Sequence, residues 1–226
     1  MKKLALPFRV MDSSLHQKLN HQELDYLSQH VECIQFNKKE VIYDHGSESD
    51  SIFLLAKGSV KLGSILDEGK ELIKYIAQPG DLFGEKALLN DTARESFAIS
   101  VRDNAQVWRI PVYALRKLMA SNPELALYFA GIIQNRLNTM ERRLGNFVAK
   151  NARSRIVDFI KYNAETRGKQ IGYEILINHK LTHQDIANIT GTSRQTVTSV
   201  LNELKRMNLI YFNGMGILVR DLAKLA

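Results

Sequence analysis

Cysteine is almost missing from this sequence: 226 residues contain one, Cys33. A lone thiol cannot close an internal disulfide, and one thiolate is too few for a zinc or iron–sulfur site. Long apolar runs are missing too. Nothing approaches the roughly 18 residues a membrane span requires. The first ten residues, MKKLALPFRV, are a poor signal peptide because Pro7 and Arg9 break their apolar run. There is no internal repeat and no low-complexity tract. A nucleophile elbow, a cluster of metal ligands and a phosphate-cradling glycine loop are also absent, so no enzymatic activity and no cofactor is expected. His179 and His183 are four apart but straddle a strand-to-helix boundary without a matching carboxylate, so they do not read as a metal pair. His16, His21 and His30 are scattered and suggest no role. These absences predict a soluble, cytoplasmic chain.

What is present is charge, unevenly placed. The net charge is +7, and 45% of residues are hydrophobic, enough for real cores. Residues 1–150 carry 20 Lys and Arg against 18 Asp and Glu; residues 151–226 carry 11 against 6. The basic excess lies in the last third, which suits a polyanionic partner there.

That third contains Leu181–Met207, LTHQDIANITGTSRQTVTSVLNELKRM. It reads as two short helices and a tight turn. Thr182 is an N-cap, with Asp185 three residues on favouring the helix start. Gly191 stops the first helix by supplying a positive φ. Ser193 caps the second. Val197, Val200, Leu201 and Leu204 form its packed stripe. At about 100° per residue, Gln195, Ser199, Asn202 and Arg206 project from the opposite side, and Arg194 sits at the helix start. This is the layout of a helix-turn-helix that enters the DNA major groove. Arg suits guanine O6 and N7, and Gln suits adenine. Thr182, Ser193, Thr196 and Thr198 are candidates for contacts around the helix starts, with hydroxyls suited to phosphate. Leu209–Phe212 and Ile217–Val219 around Asn213-Gly-Met-Gly216 read as a β-hairpin wing that packs under the helix.

Leu15, Leu19, Leu24 and Leu27 fit short helices at the beginning. From Cys33 to Pro111, short apolar runs alternate with turn residues: Ile34–Phe36, Glu40–Tyr43, Ile52–Leu55, Val60–Leu62, Leu72–Ile76, Phe97–Val101 and Val107–Ile110. This spacing predicts an antiparallel sandwich or barrel. A long helix follows from Asn122-Pro-Glu to about Phe147. Ala126, Ala130, Ile133, Leu137, Met140, Leu144 and Phe147 form an alternating +4, +3 seam. Such a seam either packs on the β domain or makes a two-stranded coiled coil; the second is expected. A dimer would present two recognition helices about 34 Å apart to a two-fold site. Val148–Ala152 reads as a hinge, and helix resumes near Arg153.

The whole order resembles the CRP/FNR family of bacterial transcription regulators. The resemblance is carried by Phe36–Tyr43 with Gly46, Ile52–Lys61, Pro79–Glu85 and Thr192–Val197. It implies an α+β fold: an N-terminal antiparallel β jelly roll, a long dimerisation helix and a C-terminal winged helix-turn-helix. The expected divisions are 1–121 (cyclic-nucleotide-binding-like sensor), 122–147 (dimerisation helix), 148–152 (hinge) and 153–226 (DNA-binding domain). It also implies a homodimer, double-stranded promoter DNA and RNA polymerase as partners. In the cAMP-binding members the pocket follows a Gly-Glu, here Gly84-Glu85, and an Arg-Ser or Arg-Thr pair holds the cyclic phosphate. Here that stretch is Arg94-Glu95-Ser96, so Glu95 stands where the phosphate-binding Arg belongs, unless Arg94 swings in to replace it. Met140 and Glu141 stand where a Thr-Ser pair touches the adenine. Glu85 could instead pair with a nearby Lys or Arg. Arg194 matches the guanine-reading Arg, while Gln195 and Ser199 replace a common Glu and a second common Arg. The expectation is a sequence-specific regulator that does not use cAMP and whose half-site drifts towards A·T. A cyclic-nucleotide switch and a winged helix that binds a protein partner are the alternatives.

Overall fold

The computed structural model describes residues 2–4, 13–89, 92–177, 181–213 and 216–225. Pro7, Arg9, His179, Gly214 and Met215 lie outside the described residues. By contact pattern the chain divides into two units, Met1–Lys70 with Lys74–Thr139, and Glu71–Ile73 with Met140–Ala226.

The first unit is built on strands. One sheet has the order β1 (Lys2–Leu4), β2 (Glu32–Phe36), β9 (Ala105–Pro111), β4 (Ser51–Lys57), β7 (Leu82–Phe83). The other has the order β3 (Val41–Tyr43), β8 (Phe97–Ser100), β5 (Val60–Ile65), β6 (Glu71–Ala77). Neighbouring strands run antiparallel, for example with Leu54 opposite Trp108 and Leu62 opposite Ala98. Side chains alternate along each strand, so β4 serves two cores at once. Phe53 and Leu55 join Phe36, Tyr43, Val60, Leu62, Phe83 and Val107 between the sheets. Ile52 and Leu54 face the other way, with Trp108 and Ile110, against helices. This is the jelly-roll sandwich expected.

Those helices are α1 (His21–Ser28), α2 (Val112–Ser121) and the start of α3 (Pro123–Ala149). α1 is closed by a reciprocal capping box between Asn20 and Glu23. α2 is an addition to the sequence reading. It starts directly after β9 with Pro111 at its N-cap position and no side-chain cap, so nothing local announces it. Leu115 and Leu118 fill the helical core.

α3 is 27 residues long. Leu125 and Phe129 are its buried residues and pack into the helical core. The seam lies elsewhere: Leu137, Met140, Leu144 and Phe147 are 50%, 37%, 66% and 43% exposed. Ala126 and Ala130 are exposed and Ile133 is half-buried. Within the first unit the packed face is Leu125 and Phe129, and the seam residues Ala126, Ala130 and Leu137 lie off it. α3 also runs through Val148 and Ala149, so only Lys150 and Asn151 separate it from α4 (Ala152–Arg167), fewer than the five residues expected to form a hinge.

In the second unit, α4 is followed by β10 (Lys169–Ile171) and β11 (Glu174–Ile177). This hairpin is a second addition: Lys169, Gln170 and Ile171 are all exposed, so no alternation marks the strand. Then come α5 (His183–Thr190), α6 (Arg194–Arg206), β12 (Ile210–Asn213) and β13 (Gly216–Val219). β13 sits between β11 and β12, making a four-stranded sheet. The core joins Ile156 and Ile160 of α4, Ile186 of α5, the α6 stripe, and Ile210, Ile217 and Val219 of the wing. Among the described residues, no helix is long and apolar enough to cross a membrane.

Candidate functional site

The α5–α6 pair forms by local rules. Thr182 and Asp185 make a full capping box: Thr182 Oγ1 accepts from the Asp185 amide (3.1 Å) and Asp185 Oδ2 accepts from the Thr182 amide (2.9 Å). Gly191 ends α5 at φ +61°, a left-handed conformation that suits glycine. Ser193 Oγ then accepts from the Thr196 amide (3.0 Å) and caps α6. Val197, Val200, Leu201 and Leu204 are all buried, as the spacing predicts.

This packing leaves one face outward. Arg194, Gln195, Ser199, Asn202 and Arg206 are exposed. Arg194, Gln195, Thr198, Ser199 and Asn202 line one open concavity. The side chains of Arg194, Gln195, Ser199 and Asn202 make no hydrogen bond to another described residue. The hydroxyls behind them are committed to the fold. Ser193 and Thr196 pair at 2.8 Å, and Thr198 donates to the Arg194 carbonyl (2.9 Å). Thr182 is likewise occupied by its cap. His183, at the start of α5, adjoins this surface. Its Nδ1 lies 2.8 Å from Thr198 Oγ1. Burial first, then the Arg194 charge, hold its pKa below the ordinary value of 6.5.

The sensor sandwich treats its polar groups differently. Glu85 is 7% exposed, and its Oε1 lies 2.6 Å from Nε of Arg136 on α3. Arg136 also donates to the Leu82 carbonyl (2.5 Å) and stacks over Tyr75 at 4.2 Å. Arg94 is 5% exposed. It donates to the carbonyls of Gly84 (3.1 Å) and Ser51 (2.5 Å), and its guanidinium lies 4.5 Å from the centre of the Tyr43 ring. Its Nε has no hydrogen-bond partner among the described residues. Burial lowers the pKa of Arg94 and pushes that of Tyr43 up to about 12. The Ser96 side chain lies near the Tyr43 hydroxyl and acts against that rise. A Cβ on Gly84 would stand 2.9 Å from Arg94 Nη1, and φ there is +78°. That glycine is required by the packing of Arg94, whether or not a ligand binds.

Glu95 points to the surface and pairs with Lys86, each side chain about three-fifths exposed. That partner lowers its pKa. Gly84, Glu85, Arg94 and Ser96 thus lie in one neighbourhood, and Glu95 turns outward from it. Met140 and Glu141 lie on α3, both exposed. Carbonyl oxygens and aromatic rings hold Arg94. Arg136 was not anticipated, because it is 51 positions from Glu85 and one position from a seam residue. Among the described residues no group of His, Cys, Asp and Glu is placed to hold a metal.

Both regions resemble known families. Residues 33–122 match the cyclic nucleotide-binding domain family, and residues 154–226 match the Crp-like helix-turn-helix domain. The CRP-like cAMP-activated global transcriptional regulator of Mycobacterium tuberculosis (strain CDC 1551 / Oshkosh) is 26% identical over 200 residues, covering 88% of this chain and 89% of that protein. A mutant CooA from Carboxydothermus hydrogenoformans has the same fold: TM-score 0.77, 24% identity, 97% of each chain covered. A CRP/FNR-family transcriptional regulator from Thermus thermophilus matches with TM-score 0.66 and 26% identity, covering 85% of this chain and 95% of that one. With a jelly roll, a long helix and a winged helix-turn-helix in that order, the chain belongs to the CRP/FNR family of bacterial transcription regulators.

Proposed function

We propose that this chain is a homodimer that reads two-fold promoter DNA with α6, and that its sensor does not answer to cAMP. The outward row of Arg194, Gln195, Ser199 and Asn202 carries the reading. These are donors and acceptors at major-groove spacing, without partners among the described residues, on a helix whose opposite side is fully buried. Arg194 is the guanine reader. Gln195 favours adenine, and Ser199 is too short to reach a further base. Ser193, Thr196, Thr198 and Thr182 hold the helix starts, from which backbone amides meet phosphate.

The exposed seam supports the dimer. Leu137, Met140, Leu144 and Phe147 would leave water if a second α3 lay alongside. The sensor's internal pairing supports the effector part. Glu95 turns out of the neighbourhood of Glu85 and Arg94 to pair with Lys86, so the position where the resemblance implies a phosphate-binding Arg offers a cyclic phosphate no cation. The M. tuberculosis relative is a cAMP-activated regulator; Glu95, standing where the family resemblance implies a phosphate-binding Arg, supports a different behaviour for this chain.

Selection of duplexes from a random pool by the full-length protein tests the proposal, with sedimentation and a cAMP and cGMP titration on the recovered duplex. Two-fold sites, a dimer in solution and an unchanged affinity at millimolar nucleotide are expected. No sequence enrichment would overturn the DNA reading. A cAMP-dependent rise in affinity would overturn the effector part alone.

A further inference from the structure

The corner between α3 and α4 is held by one cation and one aromatic ring. Arg155, in the first turns of α4, donates to three backbone carbonyls. Nη1 reaches Lys150 (2.8 Å), Nε reaches Thr190 (2.9 Å) and Nη2 reaches Gly191 (3.1 Å). Lys150 follows the last residue of α3. Thr190 ends α5, and Gly191 is the turn of the helix-turn-helix. Helix C-termini present unpaired carbonyls at the negative end of the helix dipole, where a guanidinium is favoured.

The same guanidinium lies 4.8 Å from the centre of the Phe147 ring. That ring in turn rests on Gly191. A Cβ on Gly191 would come within 2.2 Å and 2.3 Å of two ring carbons, so only glycine lets Phe147 sit there. Phe147 is also the last residue of the seam and is 43% exposed. The two residues between the helices are bonded as well. Asn151 caps α4 through the Ser154 amide (2.9 Å), and Lys150 pairs with Asp158 (2.6 Å).

We infer that Arg155 and Phe147 are positioning residues for DNA recognition: they make Lys150–Asn151 a fixed corner and tie the turn before the recognition helix to the end of the dimer seam. In the dimer, seam register then sets the distance and angle between the two recognition helices. The protein therefore discriminates half-site spacing as well as half-site sequence. This rests on the dimeric DNA reading proposed above.

The test uses full-length protein and the duplex that the wild type selects. One series inserts or deletes one or two base pairs between the half-sites; another duplex carries a single half-site. Each added pair moves the second half-site by about a tenth of a helical turn, and wild-type affinity is expected to drop at least tenfold. Arg155→Ala should lose at least tenfold on the selected duplex and show a flattened spacing profile. Its affinity for the single half-site and its thermal midpoint should stay close to wild type. Arg155→Lys, whose ammonium cannot serve three carbonyls in one plane, should fall between the two and covers the case in which the alanine variant does not fold. A wild-type spacing profile in a folded Arg155 variant would overturn the inference. So would a proportional loss on the single half-site, which marks a merely structural role. A wild type that selects no two-fold site at all points instead to failure of the dimeric reading.

Discussion

The sensor sandwich and the recognition helix both concentrate polar side chains, and they turn them in opposite directions. In the sandwich the groups face one another. Glu85 meets Arg136, Glu95 meets Lys86, and Arg94 meets two carbonyls and the face of Tyr43. On α6, Arg194, Gln195, Ser199 and Asn202 face outward, and the hydroxyls that could satisfy them are tied to helix starts. A buried polar group must find a partner within the protein, while an exposed one can wait for a partner from outside. The contrast therefore separates a region whose charges pair largely within the protein, with the Arg94 and Arg136 Nε atoms left without a hydrogen bond among the described residues, from one whose side chains face outward.

Three substitutions sharpen or break that contrast. The largest effect belongs to the sandwich. Glu85→Ala strands the guanidinium of Arg136, which is only 22% exposed. Removing one partner of a pair this buried costs about 3 kcal/mol, the low end of the range, because Arg136 keeps the Leu82 carbonyl and the Tyr75 ring. Urea unfolding measures it. A loss under about 0.5 kcal/mol, the scale of ordinary surface substitutions, would mean this pair does not hold the sandwich to α3.

Arg194→Ala comes next and should behave in the opposite manner. Stability should hold within about 0.5 kcal/mol, since the side chain touches nothing buried. Affinity for the selected duplex should weaken by about 1–3 kcal/mol, with selectivity relaxed at one base pair. An equal loss on random duplexes would reduce Arg194 to a phosphate contact.

Thr182→Ala should have the smallest effect, about 1 kcal/mol of thermal or denaturant stability, because the hydroxyl is committed to the α5 capping box. Any weakening of DNA binding should follow that stability loss. A change in salt dependence of binding without a stability change would instead place Thr182 on the phosphate backbone.

The parts of the molecule that could be read beforehand are those governed by near neighbours. Thr182, Gly191, Ser193 and the Val197–Leu204 stripe act over one to four positions, and each behaves in the structure as its spacing predicts. The sandwich strands were legible for the same reason, through alternation and turn residues. α2 was hidden because it begins against Pro111 without a capping side chain. β10 was hidden because all of its residues are exposed. The seam could be seen, but not its partner: only the fold shows that Leu125 and Phe129, not Leu137, turn to the strands.

The sequence by itself determined the order of the domains, the caps and stripe of the helix-turn-helix, and the outward row headed by Arg194. Periodicity and capping are short-range effects, so a linear chain records them. Tertiary structure alone decided that Arg136 would meet Glu85, that Arg94 would be held by Ser51 and Gly84, and that Arg155 would gather Lys150, Thr190 and Gly191. These partners are brought together from up to 51 positions apart by strand order and helix packing. A charge carries no mark of its eventual counter-charge until the backbone has placed both.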